Sequence, residues 1–301
     1  MSIDTETILD RRRFKRRLFF WRACTVIVAV IAIGLLFAKF GPSNTQDHVA
    51  RLNVDNVIVE NERRQVAINK ILKDDQAKAL LVYINSPGGS TYGSERLFKA
   101  LRRVAEKKPV VAVIGTIGAS GGYLTALAGD RIFAGESSIT GSIGVIVQLT
   151  EFSSLMETLG VKADAITSGK LKGEPSPFKP ISAGGRQNLQ DMVTQTHEWF
   201  VDLVANRRPL SRTEAAEIAD GRVLIGRTAL QAGLVDELGG LLEARVWLES
   251  DRQISASLPL ITADYSTPKG LVGELLQGMF GKSVISERLT LDGLVSLWHP
   301  N

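Results

Sequence analysis

A chain of 301 residues, 44% hydrophobic and 23% charged, has the composition of a globular protein with an apolar addition, and is long enough for one large domain or two small ones. The formal charge of +4 is carried by the first 22 residues, where seven Lys/Arg face three acids, and the remainder is neutral. The basic excess is one short arm, and no aromatic residues alternate with basic ones along a groove-like segment, which argues against nucleic-acid binding; the single cysteine, Cys24, excludes an intramolecular disulfide.

In chain order, the basic arm occupies residues 1–17. It is followed by Leu18 to Phe40, in which Ala23 to Ala38 carries no charge. About 20 apolar residues span a bilayer, and Arg22 near one end reaches the headgroups, so one transmembrane helix is expected over 18–40. Positive charges precede it and only Lys39 follows closely, which predicts a cytoplasmic amino terminus and an exported remainder. The competing reading, a cleavable signal peptide, meets a poor small-residue cleavage site at Phe37-Ala38-Lys39-Phe40-Gly41.

Residues 41–48 read as a polar linker, with the ordered domain beginning near Val49. Strand-like and helical runs then alternate: Arg51–Glu60, Gln65–Asp75, Ala79–Asn85, Ser94–Glu106 and Val110–Ile114. This is an α/β order with short connections. Further strands are predicted over Asp130–Ala134, Ile143–Gln148 and Lys162–Thr167, and a long amphipathic helix over Ser182 to Asn206.

The stretch from Val110 to Ala128 sets Ser120 between a buried apolar run and a small-residue helix, on a turn with glycines at 118, 121 and 122. Glycine lets the chain bend sharply there, as an exposed nucleophile requires; the plainer reading is a serine that only caps the helix. A second turn, Asn85-Ser86-Pro87-Gly88-Gly89, closes the preceding strand. Its amides can point outward together to hold an oxyanion. Carboxyl ends of parallel strands share one edge, so the two turns can face one cleft.

A serine nucleophile needs a base. Of the three histidines, His48 lies in the linker and His299 near the end, while His197 sits one residue off the stripe Leu189, Met192, Val193, Thr196, Phe200, Leu203, Val204, where a packed or solvated histidine is the common case. Lysine is an accepted alternative. The loop from Ser168 to Pro180 offers Lys170, Lys172 and Lys179, and spacing alone does not choose among them. A lysine base has to sit where burial lowers its pKa.

Four motifs in order, Asn85-Ser86-Pro87-Gly88-Gly89, Gly118-Ala119-Ser120-Gly121-Gly122-Tyr123, Thr140-Gly141-Ser142-Ile143-Gly144-Val145 and Ser168-Gly169-Lys170-Leu171-Lys172, resemble the short-form bacterial signal peptide peptidase A family. Ala219-Asp220-Gly221-Arg222-Val223 and Ala229 to Gly239 also match, so the resemblance runs from about Val49 to Leu248. It implies a Clp/crotonase-like α/β fold, a repeated β-β-α superhelical core, with a peptidase domain over 49–249. By the same resemblance Ser120 is the nucleophile, Lys172 the general base, Ser142 the residue that positions the base, and Gly89 and Gly121 the oxyanion hole, with no metal and no cofactor. It further implies a homo-oligomer whose dyad is shared between protomers, standing on the outer face of the inner membrane. The implied substrates are signal peptides and other hydrophobic peptides.

Residues 250–301 match no motif. The run Leu271 to Phe280 within them is apolar on one side, which suggests packing on the core or on a neighbouring protomer. Two rival classes use the same features differently. A crotonase-like acyl-CoA enzyme needs neither this serine nor export, and a non-catalytic membrane scaffold leaves the coincidence of Ser120, Ser142 and Lys172 unexplained. A Clp-type processive protease lacks its histidine near Val145.

Overall fold

The computed structural model describes residues 17–30, 32–33, 46–265 and, for the backbone alone, 295–297. It divides into two units, 1–46 and 47–301. In the first, 17–30 and 32–33 are helical. Among the described residues no helix is long and apolar enough to cross a membrane; the span expected at 18–40 includes residues 31 and 34–40, which lie outside them.

The second unit is α/β, in keeping with the alternation read from the sequence. Strand β1 (His48–Asp55) begins inside what reads as linker, so the boundary at 48 is corrected to the start of β1. Helix α1 (Glu62–Lys73) comes next, N-capped by Asn61, whose side chain accepts from Arg64 N–H. Strand β2 (Ala77–Ser86) leads into the short β3 (Gly88–Ser90). Helix α2 (Thr91–Ala105) starts on a Ser90 cap bonded to Gly93 N–H. Strand β4 covers Val110–Ala119, longer than the apolar run predicts, and ends one residue before Ser120. The bend therefore falls entirely on Ser120 and the start of α3 (Gly121–Ala126).

Strands β1, β2 and β4 lie side by side and parallel. The sheet then forks: residues 111–114 of β4 pair with β5 (Arg131–Ala134), and residues 117–119 pair with β6 (Ile139–Gly141). Helix α4 (Ser153–Thr158) and the long α5 (Ala183–Arg207) come after the fork, the latter capped by Ser182, as its sequence period predicts. Helix α6 (Arg212–Ile218) leads to β7 (Val223–Ile225), antiparallel to β6. After α7 (Gly226–Gln231), β8 (Glu237–Leu238) joins β5, and α8 (Leu241–Arg252) closes the run. Strand β9 (Leu260–Thr262) pairs with β1, so the folded domain runs past the boundary expected at 249. Strand β10 (Val295–Leu297) pairs antiparallel with β3.

The central sheet is buried on both faces, which is why its strands are near-continuous apolar runs. Leu52, Leu80, Val82, Ile84, Ala112 and Ile114 face the core shared with α1, α2, α3 and α5. The alternate residues Val49, Ala79, Leu81, Val111 and Val113 face Trp247 and Leu248 of α8. This period-two division is ordinary pleating.

Two predicted strands are not formed among the described residues. Residues 143–148 carry only a single bridge position at Ile146 and 162–167 none; Ile143 is buried in the core, whereas Ile146 is 39% and Ile166 104% exposed. An apolar run marks a surface to be covered, and a strand needs a paired neighbour as well. The α5 stripe behaves likewise. Phe200 and Val204 are buried, but Met192 is 40% exposed. The apolar run 271–280 lies outside the described residues, as does His299.

Behind the Ser120 turn, the Tyr123 hydroxyl donates to Leu234 C=O at 2.8 Å, and Arg208 holds Asp236 at 2.7 Å and 3.0 Å. Tyr123 is wholly buried, and its pKa is pushed up chiefly by that burial, with Asp236 adding and Arg208 opposing. A raised folded pKa contributes stability that is present below the unfolded tyrosine value of about 10 and is lost as pH rises through the folded value. Tyr123→Phe is expected to cost about 1 kcal/mol at neutral pH, since Leu234 C=O loses its donor. It should also flatten the fall in stability above about pH 10. Urea unfolding of both proteins across that range checks this; parallel curves would refute it.

Candidate active site

Ser120 occupies the N-cap position of α3 with φ 54° and ψ −117°, and its side chain makes no capping bond. That removes the plain reading of a capping serine. A non-glycine residue at such angles costs about 1–3 kcal/mol and persists only where its surroundings hold it. The hold is visible: Ser120 N–H donates to Gly141 C=O at 2.8 Å. Ser142, with φ 50°, is a second strained serine, and its N–H donates to Arg222 C=O at 2.8 Å.

Both glycine turns converge here. A Cβ placed on Gly121 would lie 3.2 Å from Gly89 N and 2.3 Å from Ser94 Oγ, and one on Gly89 would lie 1.9 Å from Ile58 C=O. At Gly89 the requirement for glycine is close backbone approach, and at Gly121 it is chiefly the Ser94 hydroxyl that fills the space of a side chain. In β3, Gly88 C=O and Ser90 N–H are taken by Ile58. Alternation along a strand then turns the N–H and C=O of Gly89 to the other side, where Ser296 of β10 is its registered partner. The sequence pattern shows no role for these tail residues, because three residues carry too short a period to signal a strand.

Ser120 and Ser142 line one cleft of about 600 Å³ together with Val145, Gln190, His197 and Ala219. Ser120 is 1% and Ser142 8% exposed, so Ser120 is far more covered than the turn predicts. No lysine lines this cleft among the described residues of one protomer. Lys170 and Lys172 lie on an exposed turn closed by Lys172 N–H to Gly169 C=O, and Lys179 pairs with Glu174 at 3.2 Å. The structure thus brings Ser120, Ser142, Gly89 and Gly121 together, and does not bring Lys172 to them within one chain. His197 does reach the cleft. His48, by contrast, is buried in β1 beside Asp74 and lines a separate cleft with no serine, threonine or cysteine among the described residues that line it.

A strained serine between converging glycine turns, on the edge of a parallel sheet, is the layout of a serine hydrolase. Residues 102–255 match the model of Peptidase family S49, and the chain belongs to that family, the serine peptidases of signal peptide peptidase type. A relative from Synechocystis, provisionally named a protease, is 38% identical over 208 residues, 68% of this chain and 74% of the relative. One from Enterococcus faecium, provisionally named a signal peptide peptidase, is 34% identical over 189 residues, 62% of this chain and 55% of the relative. The chloroplastic serine protease SPPA of Arabidopsis thaliana is 32% identical over 232 residues, 76% of this chain and 34% of that protein. The chain therefore spans from about a third to about three quarters of the length of these relatives.

Proposed function

We propose that the protein is a membrane-anchored endopeptidase of Clp/crotonase-like fold that degrades signal peptides and other hydrophobic peptides with a Ser120–Lys172 dyad. The observation that carries this is the conformation of Ser120, strained and withdrawn from capping. In the reaction, Ser120 Oγ attacks the peptide carbonyl as its proton passes to the lysine. The amides of Gly89 and Gly121 hold the resulting oxyanion. Collapse breaks the C–N bond, the lysine returns the proton to the leaving amine, and water then hydrolyses the acyl-serine with the lysine again as base. Ser142 orients that lysine. The forked sheet around β4 supports the fold assignment, and the antiparallel seat of β10 on β3 supports docking of an extended peptide by strand addition.

The lysine comes from a neighbouring copy. Lys172 lies on an exposed loop, and Ile146, Leu149, Phe152, Leu155, Ile166, Leu171 and Phe178 are all exposed. Uncovered apolar surface of this extent marks an interaction site. A homo-oligomer that covers it can deliver one protomer's loop to the next protomer's cleft. The basic arm and apolar segment before residue 41 anchor this assembly on the outer face of the membrane.

One experiment with two arms tests the proposal. A synthetic signal peptide incubated with the full-length protein in detergent should be cut within its apolar core, as read by mass spectrometry. Alkaline phosphatase fused after Asn301 should be active and fused after Arg17 inactive. An intact peptide sinks the substrate class, and the reverse phosphatase pattern sinks the orientation. A crotonase-like enzyme would leave Ser120 unlabelled by a fluorophosphonate.

A further inference from the structure

His197 lies on α5 and lines the same cleft as Ser120 and Ser142. Its Nε2 is 2.7 Å from Ala219 C=O. A carbonyl oxygen only accepts, so Nε2 carries the proton and donates, and that nitrogen is committed to the backbone. Ala219 is buried and ends α6. The turn that leaves it is closed by Asp220, whose carboxylate accepts from Arg222 N–H at 3.0 Å and from Arg222 Nε at 2.7 Å and 2.8 Å.

Beyond the turn, the chain forms the wall of the active site. Arg222 C=O accepts from Ser142 N–H at 2.8 Å; Val223, the next residue, is registered against Gly141, whose C=O accepts from Ser120 N–H at 2.8 Å. One hydrogen-bonded path runs from His197 through residues 219–222 to Ser142, and through β6 to Ser120. Both serines stand at positive φ, a conformation that needs its surroundings to fix it.

We propose that His197 is a positioning residue, whose Nε2–H bond to Ala219 C=O fixes the 219–222 turn and thereby holds Ser142 and Ser120 in their strained, reactive conformations. This rests on the reading of Ser120 as nucleophile. It assigns no proton transfer to the imidazole: the role proposed is carried by the Nε2–H bond to Ala219 C=O and not by Nδ1, the ring nitrogen left to accept.

The test compares His197→Leu, which keeps bulk and removes the donor, with His197→Gln, whose amide N–H can still reach the carbonyl, and with Ser120→Ala. Each full-length protein is assayed with a hydrophobic tripeptide anilide, a fluorophosphonate label and thermal melting. His197→Leu is expected to lower kcat about tenfold to a hundredfold, as small misplacements of reacting groups do. KM should stay within about threefold, the labelling rate should fall in parallel, and His197→Gln should restore most of kcat. Wild-type kcat in His197→Leu overturns the proposal, and so does a His197→Gln enzyme as impaired as His197→Leu. If the leucine variant does not fold, the glutamine variant decides: near wild-type kcat supports the proposal, and a tenfold or greater loss of kcat with unchanged melting overturns it. Loss of both variants to the Ser120→Ala level, with the pH dependence abolished, would make His197 the base instead. Full activity of Ser120→Ala would break the underlying reading and leave a different signature from any of these.

Discussion

Ser120→Ala and Lys172→Ala are each expected to abolish peptide cleavage, and a mixture of the two inactive proteins is expected to cleave again. The first half comes from chemistry: loss of a nucleophile or its base costs about four or more orders of magnitude in kcat in comparable enzymes. Neither change should disturb folding. Lys172 is exposed, and removing the Ser120 hydroxyl opens almost no space. The second half comes from where the residues lie. Ser120 and Ser142 share a cleft that no lysine of the same protomer lines among the described residues, which is the ground for the proposal that the serine is met by the lysine of a neighbouring copy. In a fully exchanged equimolar mixture, half of the copies carry Ser120 and half of their neighbours carry Lys172, so recovery approaches about a quarter of wild-type activity in a closed ring of heterologous contacts. A dyad within one chain gives no recovery, because every chain lacks one member. Zero activity after subunit exchange has been demonstrated by mass spectrometry would therefore refute the shared site.

The parts of this molecule that are legible in the sequence are those in which local chemistry and final environment agree. Strands β2 and β4 are buried on both faces, so their apolar runs mark them directly. Ser90 and Ser182 announce the helices they cap. The glycine at 89 marks a place where another backbone group comes too close for a side chain, and that at 121 one where the Ser94 hydroxyl does. The failures share another cause. The runs 143–148 and 162–167 carry strand-like composition but form no ladder among the described residues of one chain, since composition reports that a surface is to be covered and not what covers it. The seat of β10 on β3 joins residues more than 200 positions apart, and no local period encodes such a pairing. His197 is legible as the edge of a buried stripe, but its bond to Ala219 depends on the packing of α5 against α6.

Lys172→Arg should be nearly inactive while Lys170→Ala keeps most of its rate, and this pair decides which lysine is the base. Period-two alternation would point the two side chains the same way along an extended loop. The loop is not extended there, because Lys172 N–H closes a turn onto Gly169 C=O, so alternation carries no information and the choice rests on the match of Lys172 to its motif and on function. A base has to be neutral to accept the serine proton, so kcat/KM of the wild type should rise with pH as the lysine loses its charge. Guanidinium stays protonated across that range and cannot accept. Lys172→Arg preserves positive charge and reach, yet it should lose about two to four orders of magnitude in kcat/KM together with the rising limb. Lys170→Ala should keep the limb and lose at most about threefold, the effect of removing a solvated surface charge. An active Lys172→Arg enzyme, or an inactive Lys170→Ala enzyme with normal assembly, assigns the base to the wrong lysine here. Activity retained in both moves the base to His197, which lines the Ser120 cleft among the described residues, and overturns its assignment as a positioning residue.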